Sequence, residues 1–210
     1  LLIPCAAAAL TLGTSMLSFA ATGWQEEDGT WRYYDKDGEA VTSVWRKSGN
    51  DFFWLDEDGD MATDQLVEDN DNYYYVNESG AMVKNQWREL ENEDKQDDDD
   101  SDTAWYYFGA DGKAYKAKDS GKVNFKSIVR ADGVTKKYAF DEQGKMLYGW
   151  IDEQGERQTG DDAWQTGVYY LGAANDGAMR SHQWERLDVV DDDQTNDEFQ
   201  DWYWFYFNAN

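Results

Sequence analysis

Trp24, Trp45, Leu66 and Trp87 stand 21 residues apart each time, and Gly38, Gly59 and Gly80 keep the same interval. A fixed period of this length means that one small unit is copied along the chain, so only arrays and solenoids need be considered. Seven residues after each leader comes an aromatic cluster: Trp31-Arg32-Tyr33-Tyr34, Phe52-Phe53-Trp54-Leu55 and Tyr73-Tyr74-Tyr75-Val76. Polar turn residues follow, then the Gly, then Ala40, Met61 or Met82 two residues beyond it.

Later units keep the signature and stretch it. Trp87 is followed, after an acidic insert, by Trp105-Tyr106-Tyr107-Phe108 and the Asp111-Gly112 turn. A degenerate fifth unit runs through Phe125 to Lys137-Tyr138-Ala139-Phe140, Gly144 and Met146. Gly149-Trp150 opens a sixth unit, with Val168-Tyr169-Tyr170-Leu171, Gly177 and Met179. Trp184 opens a seventh, which reaches Trp204-Phe205-Tyr206-Phe207 and stops before its turn Gly, as in a chain cut at both ends. Residues 21–210 are therefore expected to form an array of about seven repeats, the last one truncated.

Each unit reads as a β-hairpin in which the cluster is one strand, the Gly supplies positive φ in a tight turn, and the next strand carries the Ala or Met. One hairpin is marginal alone, so its faces must be buried against its neighbours. Alternation puts the first and third cluster residues on one face and the second and fourth on the other. Because both faces are apolar in most units, the chain is expected to be all-β, a β-solenoid of stacked β-hairpin repeats with a core on one side and a lateral groove on the other. The Met residues read as packing, since Met fills irregular gaps.

Composition fits that frame. Beyond residue 20 there are 33 aromatic residues against only 19 Val, Ile and Leu, the reverse of an ordinary core. With 44 Asp/Glu against 19 Lys/Arg, the net charge of −25 argues against a nucleic-acid partner. Residues 1–20 carry no charge and end in Ser18-Phe19-Ala20, the small-residue pattern of a signal peptide cleaved after Ala20. Nothing after that point is apolar enough for a membrane span. Cys5 is the only cysteine, so a mature chain would hold no disulfide.

The motif Gly-Trp, polar spacer, Trp-Tyr-Tyr-Phe, Gly turn and Met resembles the choline-binding, or cell-wall-binding, repeats of Gram-positive surface proteins, over about residues 23–210. Glucan-binding repeats of glucosyltransferases and the repeats of clostridial toxins are nearest to it. The resemblance implies a secreted module at the bacterial cell surface, binding choline-bearing teichoic acid or another cell-wall polymer and anchoring a larger protein. It also implies choline held between successive hairpins by Trp and Tyr rings, in cages of first and third cluster aromatics with the leading Trp of the next unit. The chemistry suits a quaternary ammonium. Such a cation has no proton to donate, and ring quadrupoles attract it by ~0.5–2 kcal/mol per contact.

On that pattern Trp31, Tyr33 and Trp45 make a complete first junction, and Tyr73, Tyr75 and Trp87 a third. Phe52 and Trp54 would face Leu66. Trp105 and Tyr107 would face the fifth unit, and Tyr170 and Trp184 would keep two rings. The fifth junction loses its rings to Lys137 and Ala139. Two rivals use the same residues: a module for glucan or another carbohydrate, and the targeting arm of a wall hydrolase whose catalytic domain lies elsewhere.

No catalytic apparatus stands out. His182 is the sole His, and carboxylates are too abundant for any pair to be distinctive. No cofactor or metal is expected. The inserts at 91–102 and 188–201 carry −7 each, and Asp97-Asp98-Asp99-Asp100 lacks the spacing and terminal bidentate Glu of a Ca²⁺ loop, so a solvated loop is expected there.

Overall fold

A computed structural model describes residues 22–95, 100–118, 120–160, 162–189 and 202–209. The expected signal peptide and the run Asp97-Asp98-Asp99 lie outside these residues. The described residues divide into two compact units, the first ending at Ala62 and the second beginning at Thr63.

In the first unit, β1 (Gly23–Glu27) pairs with β2 (Thr30–Tyr34), and β3 (Val44–Ser48) with β4 (Asp51–Leu55). The second opens with β5 (Gln65–Asp69) on β6 (Asn72–Val76) and β7 (Gln86–Glu91) on β8 (Thr103–Phe108). Next, β9 (Lys126–Val129) pairs with β10 (Thr135–Tyr138). β11 (Trp150–Ile151) lies between β12 (Arg157–Gln158) and β13 (Tyr169–Tyr170), with a single helical turn, α1 (Ala163–Thr166), before β13. The last pair is β14 (Gln183–Asp188) with β15 (Trp202–Phe207). Every ladder is antiparallel, and the described residues are all-β apart from that one turn.

The hairpins differ from the sequence expectation in one respect. The cluster strand pairs with the leader strand before it, and only a one-residue bridge reaches the Ala or Met beyond the Gly, as in Tyr34↔Ala40 and Leu55↔Met61. Turn chemistry explains this. Asp28-Gly29 and Asn70-Asp71 hold left-handed φ at both residues, and Gly49 does so at the first of its pair, the geometries that suit two-residue hairpins. The Gly38 turn is instead organised by a side chain. Asp35 Oδ1 accepts the amides of Asp37 and Glu39 at 2.9 and 3.0 Å, and these bonds hold its pKa below the ordinary range. Asp56, Asn77 and Asp141 repeat the device.

The consequence is a fixed register in which each leader sits opposite the third residue of its own cluster. Trp24 faces Tyr33, Trp45 faces Trp54, Leu66 faces Tyr75, Trp87 faces Tyr107 and Trp150 faces Tyr170. The fourth cluster residue forms the core: Leu55, Val76, Phe108 and Leu171 are fully buried and Phe140 nearly so. Tyr74, Tyr106 and Tyr138, all at the second position, are buried too, and burial raises their phenol pKa values.

Neighbouring repeats within a unit are joined by a recurring backbone bond. The residue two beyond each turn Gly donates its amide to the carbonyl of the first cluster residue of the preceding repeat. Met61 donates to Trp31, Ala114 to Tyr73, Met146 to Trp105 and Met179 to Lys137, at 2.7–2.9 Å. The Met or Ala of one repeat is thereby seated beside the outward ring of the one before.

Candidate ligand site

That seating builds a ring-walled cavity at the fourth junction. Trp87 leads β7, and Trp105 is the first cluster residue of its partner strand β8; their ring centroids lie 6.4 Å apart and nearly perpendicular. Tyr138, at the end of β10, approaches Trp87 to 4.9 Å, and Phe140 stacks on Trp87 from behind at 5.9 Å. Tyr138 and Met146 are buried and form the floor, while both Trp rings are half-buried walls. The cavity has a volume of about 230 Å³, and Arg130, Ala131, Asn175 and Asp176 complete its lining. Three aromatic rings, a thioether and the Asp176 carboxylate are groups that attract a cation that carries no N–H, and the Arg130 guanidinium is the lining group that opposes one.

The first unit repeats three of these relationships. Trp24 lies edge-on to Phe53 at 5.5 Å, Trp31 is 41% exposed at the first cluster position, and Met61 is bonded to the Trp31 carbonyl. At the third junction Leu66 stands where a Trp leads elsewhere, and Leu66 and Tyr73 pack on the buried Tyr75, Tyr106 and Ala114 as part of a filled core. The sixth junction places Trp150 against Phe205 at 5.3 Å, with the exposed Val168 at the first cluster position.

The third-position rings meet a different fate from the expected one. Arg46 lies over Tyr33 at 5.2 Å, Arg88 over Tyr75 at 5.7 Å and Arg180 over Tyr170 at 6.0 Å, so each ring already carries a cation of the protein. Tyr75 is buried and donates to Asp64; burial first, then that bond, pushes its phenol up to about 12. Tyr107 packs between Trp87 and Tyr115, at 5.1 Å from each. Trp45 and Trp54 contact each other at 5.2 Å, and Lys47 covers Phe52 and Lys116 covers Tyr73. Tyr170 meets Trp150 at 5.0 Å, and Trp184, 64% exposed, meets Tyr206 at 5.2 Å. Of the residues expected to make sites, Trp87 and Trp105 are the pair that a described cavity brings together.

Tyr138, Met146, Arg130 and Asp176 were not singled out as ligand residues from the sequence. Tyr138 falls at a second cluster position, which alternation assigns to the core. One signal pointed to this region: residues 113–140 hold eight Lys/Arg and two Asp, a net +6 in a chain of −25.

The acidic insert between β7 and β8 is also tied down more than its composition suggests. Lys145 Nζ donates to Asn92 and Asp94 at 2.8 Å each, and Lys95 pairs with Asp102. Arg157 pairs with Asp100 and stacks on Tyr148 at 4.1 Å, and Tyr148 accepts the Ser101 amide. These ion pairs hold the Asp94 and Asp102 carboxyls below their ordinary range. Among the described residues no cluster of His, Cys, Asp and Glu is arranged to hold a metal. Among them, too, no helix is long and apolar enough to cross a membrane.

Sequence comparison finds repeats of a known kind in part of this hairpin array. Residues 41–87 match the Choline-binding repeat, and residues 22–40 and 100–114 match the cell wall binding repeat. Over those stretches the chain is similar to choline-binding repeats. No curated protein matches the chain in sequence. Among solved structures it is similar to choline binding protein F from Streptococcus pneumoniae, at 23% identity and a TM-score of 0.52 over 90% of this chain and 50% of that one. CbpJ from Streptococcus pneumoniae TIGR4 aligns at 22% identity with a TM-score of 0.49, over 77% of this chain and 43% of that one. The chain thus spans half or less of the length of either protein.

Proposed function

We propose that this protein is a cell-wall-binding module that recognises choline through aromatic cages between successive hairpins, the fourth-junction cage being its best-formed site. The observation that carries the reading is the 230 Å³ cavity walled by Trp87, Trp105, Tyr138 and Met146. Its rings need no hydrogen bond from the ligand, and the acidic surface raises the local concentration of cations. Within each unit, the bond from each Met or Ala amide to the preceding cluster supports a solenoid-like stacking of the repeats. Residues 21–210 are read as an array of about seven, and residues 1–20 as the signal that exports it.

On this reading a cage follows a rule different from the one the motif suggested. It takes the leader and the first cluster residue of one repeat with the second cluster residue and the Met of the next. Trp24, Trp31, Phe53 and Met61 satisfy it in the first unit. Several weak cages on one chain bind a polymer bearing many choline groups far more tightly than one alone, which suits anchoring a larger secreted protein to choline-bearing teichoic acid. The module itself has no chemical step in this role.

Choline titration followed by Trp fluorescence tests the reading, with glucose oligomers as the comparison. Saturable quenching or shift by choline is expected. A spectrum unmoved by choline at tens of millimolar, but shifted by the oligomers, replaces this reading with a glucan module.

A further inference from the structure

Trp105 and Met146 also line a second, larger cavity, of about 970 Å³. Most of its other walls come from segments that depart from the repeat: the fourth-repeat insert, the connection from Ala117 to Asn124 and the loop between β11 and β12. The fifth-repeat turn around Glu142 completes it. These walls are pinned to one another. The Ala117 amide donates to the Asp141 carbonyl at 2.8 Å, and the Val123 amide to the Glu153 carbonyl at 2.9 Å. Lys145 holds Asp94, and Arg157 holds Asp100. The cavity is therefore formed before a ligand arrives, which lowers the cost of binding one. Small-molecule sites run to about 300–1,000 Å³, so there is room for a short chain.

Four charges on its walls remain unspent. Among the described residues, Lys118 and Lys122 on the connection, and Glu142 and Glu156 on the two turns, make no ion pair. Gln143, Gln154 and Asn124 line the same space, and each can both donate to and accept from a peptide group. A sugar finds less here. Phe140 is buried and stacked on Trp87, Tyr148 is covered by the Arg157 guanidinium at 4.1 Å, and Trp105 is already a wall of the cage. The lining as a whole holds five Asp/Glu and four Lys/Arg. In a chain of −25 that local near-balance suits a ligand bearing both signs.

We propose that this cavity binds a short peptide with a free ammonium and a free carboxylate. Lys118 and Lys122 take the carboxylate, Glu142 and Glu156 take the ammonium, and the amide side chains meet the peptide groups between. Nothing in this site draws on the choline cages, and a peptide here and a choline there can be bound at once.

Calorimetry on the whole chain tests this, with trialanine and pentaalanine as probes, each also in its N-acetylated and its C-amidated form, and with maltotriose for comparison. At least one of the free peptides is expected to bind, and blocking either end to weaken it about fivefold, the upper range for an ion pair open to water. Added salt is expected to weaken it further. In the double variant Lys118→Gln with Lys122→Gln, amidation is expected to make no difference while acetylation still does. In Glu142→Gln with Glu156→Gln the reverse is expected. A folding defect does not produce that crossed pattern, and circular dichroism of each variant reports its fold directly. Peptides bound equally well with their ends free or blocked overturn the assignment. Silence of both peptides overturns it too, and maltotriose bound in their place makes the cavity a saccharide site instead. Each of these results leaves the choline reading of the cages standing.

Discussion

The amide of Met146 donates to the carbonyl of Trp105 at 2.7 Å, across the boundary between two repeats. That bond fixes the thioether of one hairpin beneath the outward ring of the previous one, where Trp87 and Tyr138 close the remaining sides. The joint between repeats and the wall of the cavity therefore share the same residues.

Removing the outward ring gives the most direct check on the cage. Trp105→Ala is expected to weaken choline binding at this junction by about tenfold, within the range of one desolvated cation–π contact. Trp105→Phe is expected to keep part of it. Calorimetric titration of both variants, against wild type, reads the difference.

Gly177 guards the position of Met146. It adopts φ +62°, and a Cβ there would collide with the Met146 sulfur. Gly177→Ala is expected to destabilise the chain by about 1–3 kcal/mol through overpacking, and to weaken choline binding as the thioether moves. Gly29→Ala serves as the contrast: its φ is +88° with nothing within 4 Å of a Cβ, so only the backbone penalty of about 1–2 kcal/mol is expected. Urea unfolding of the pair, with choline titration of each, checks both effects.

The acidic insert should detach when its cation is removed. Lys145→Gln is expected to cost less than about 1 kcal/mol of global stability, because Asp94 is largely exposed. Exchange of the amides around Asn92 and Ser101 is nonetheless expected to quicken. Acid should have the same effect in the wild type. The Asp94 carboxyl is held below its ordinary value of about 3.9 by Lys145, so the tether's contribution is present above that value and lost as pH falls through the lower, folded one. Hydrogen exchange across that range measures it.

Tyr75 offers an alkaline counterpart. Its phenol is raised to about 12, by burial first and by its bond to Asp64 second. The neutral form is favoured in the fold, so its contribution is complete below the unfolded value of about 10 and disappears as pH rises through about 12. Ultraviolet titration is expected to show several late-ionising tyrosines, of which the one at about 12 moves down in Asp64→Asn without reaching the ordinary value.

The period, the leaders and the hairpins were legible because aromatic spacing and turn residues are local signals. The pairing partner was not. Gly29 has Asn50 and Asp71 at the equivalent positions of the next repeats, so the true hairpin turn loses its Gly while Gly38, Gly59 and Gly80 keep theirs. Periodicity therefore drew attention to the wrong loop. The fifth repeat read as degenerate because Lys137 and Ala139 replace the usual rings. What the preceding repeat takes from it is Tyr138 and Met146, which survive. Asp94 and Asp100 looked like solvated charge because Lys145 and Arg157 lie 51 and 57 residues further along the chain.

The two long acidic inserts enter between paired strands, at the end of each ladder away from the leading Trp. Trp87 still faces Tyr107, and Trp184 still faces Tyr206, across strands whose loops have grown. Hairpin tips are thus free ground for lengthening and recharging, because the strand register holds whatever the loop between them. A lineage carrying this architecture can rewrite its outer surface repeatedly while the geometry of recognition stays inherited.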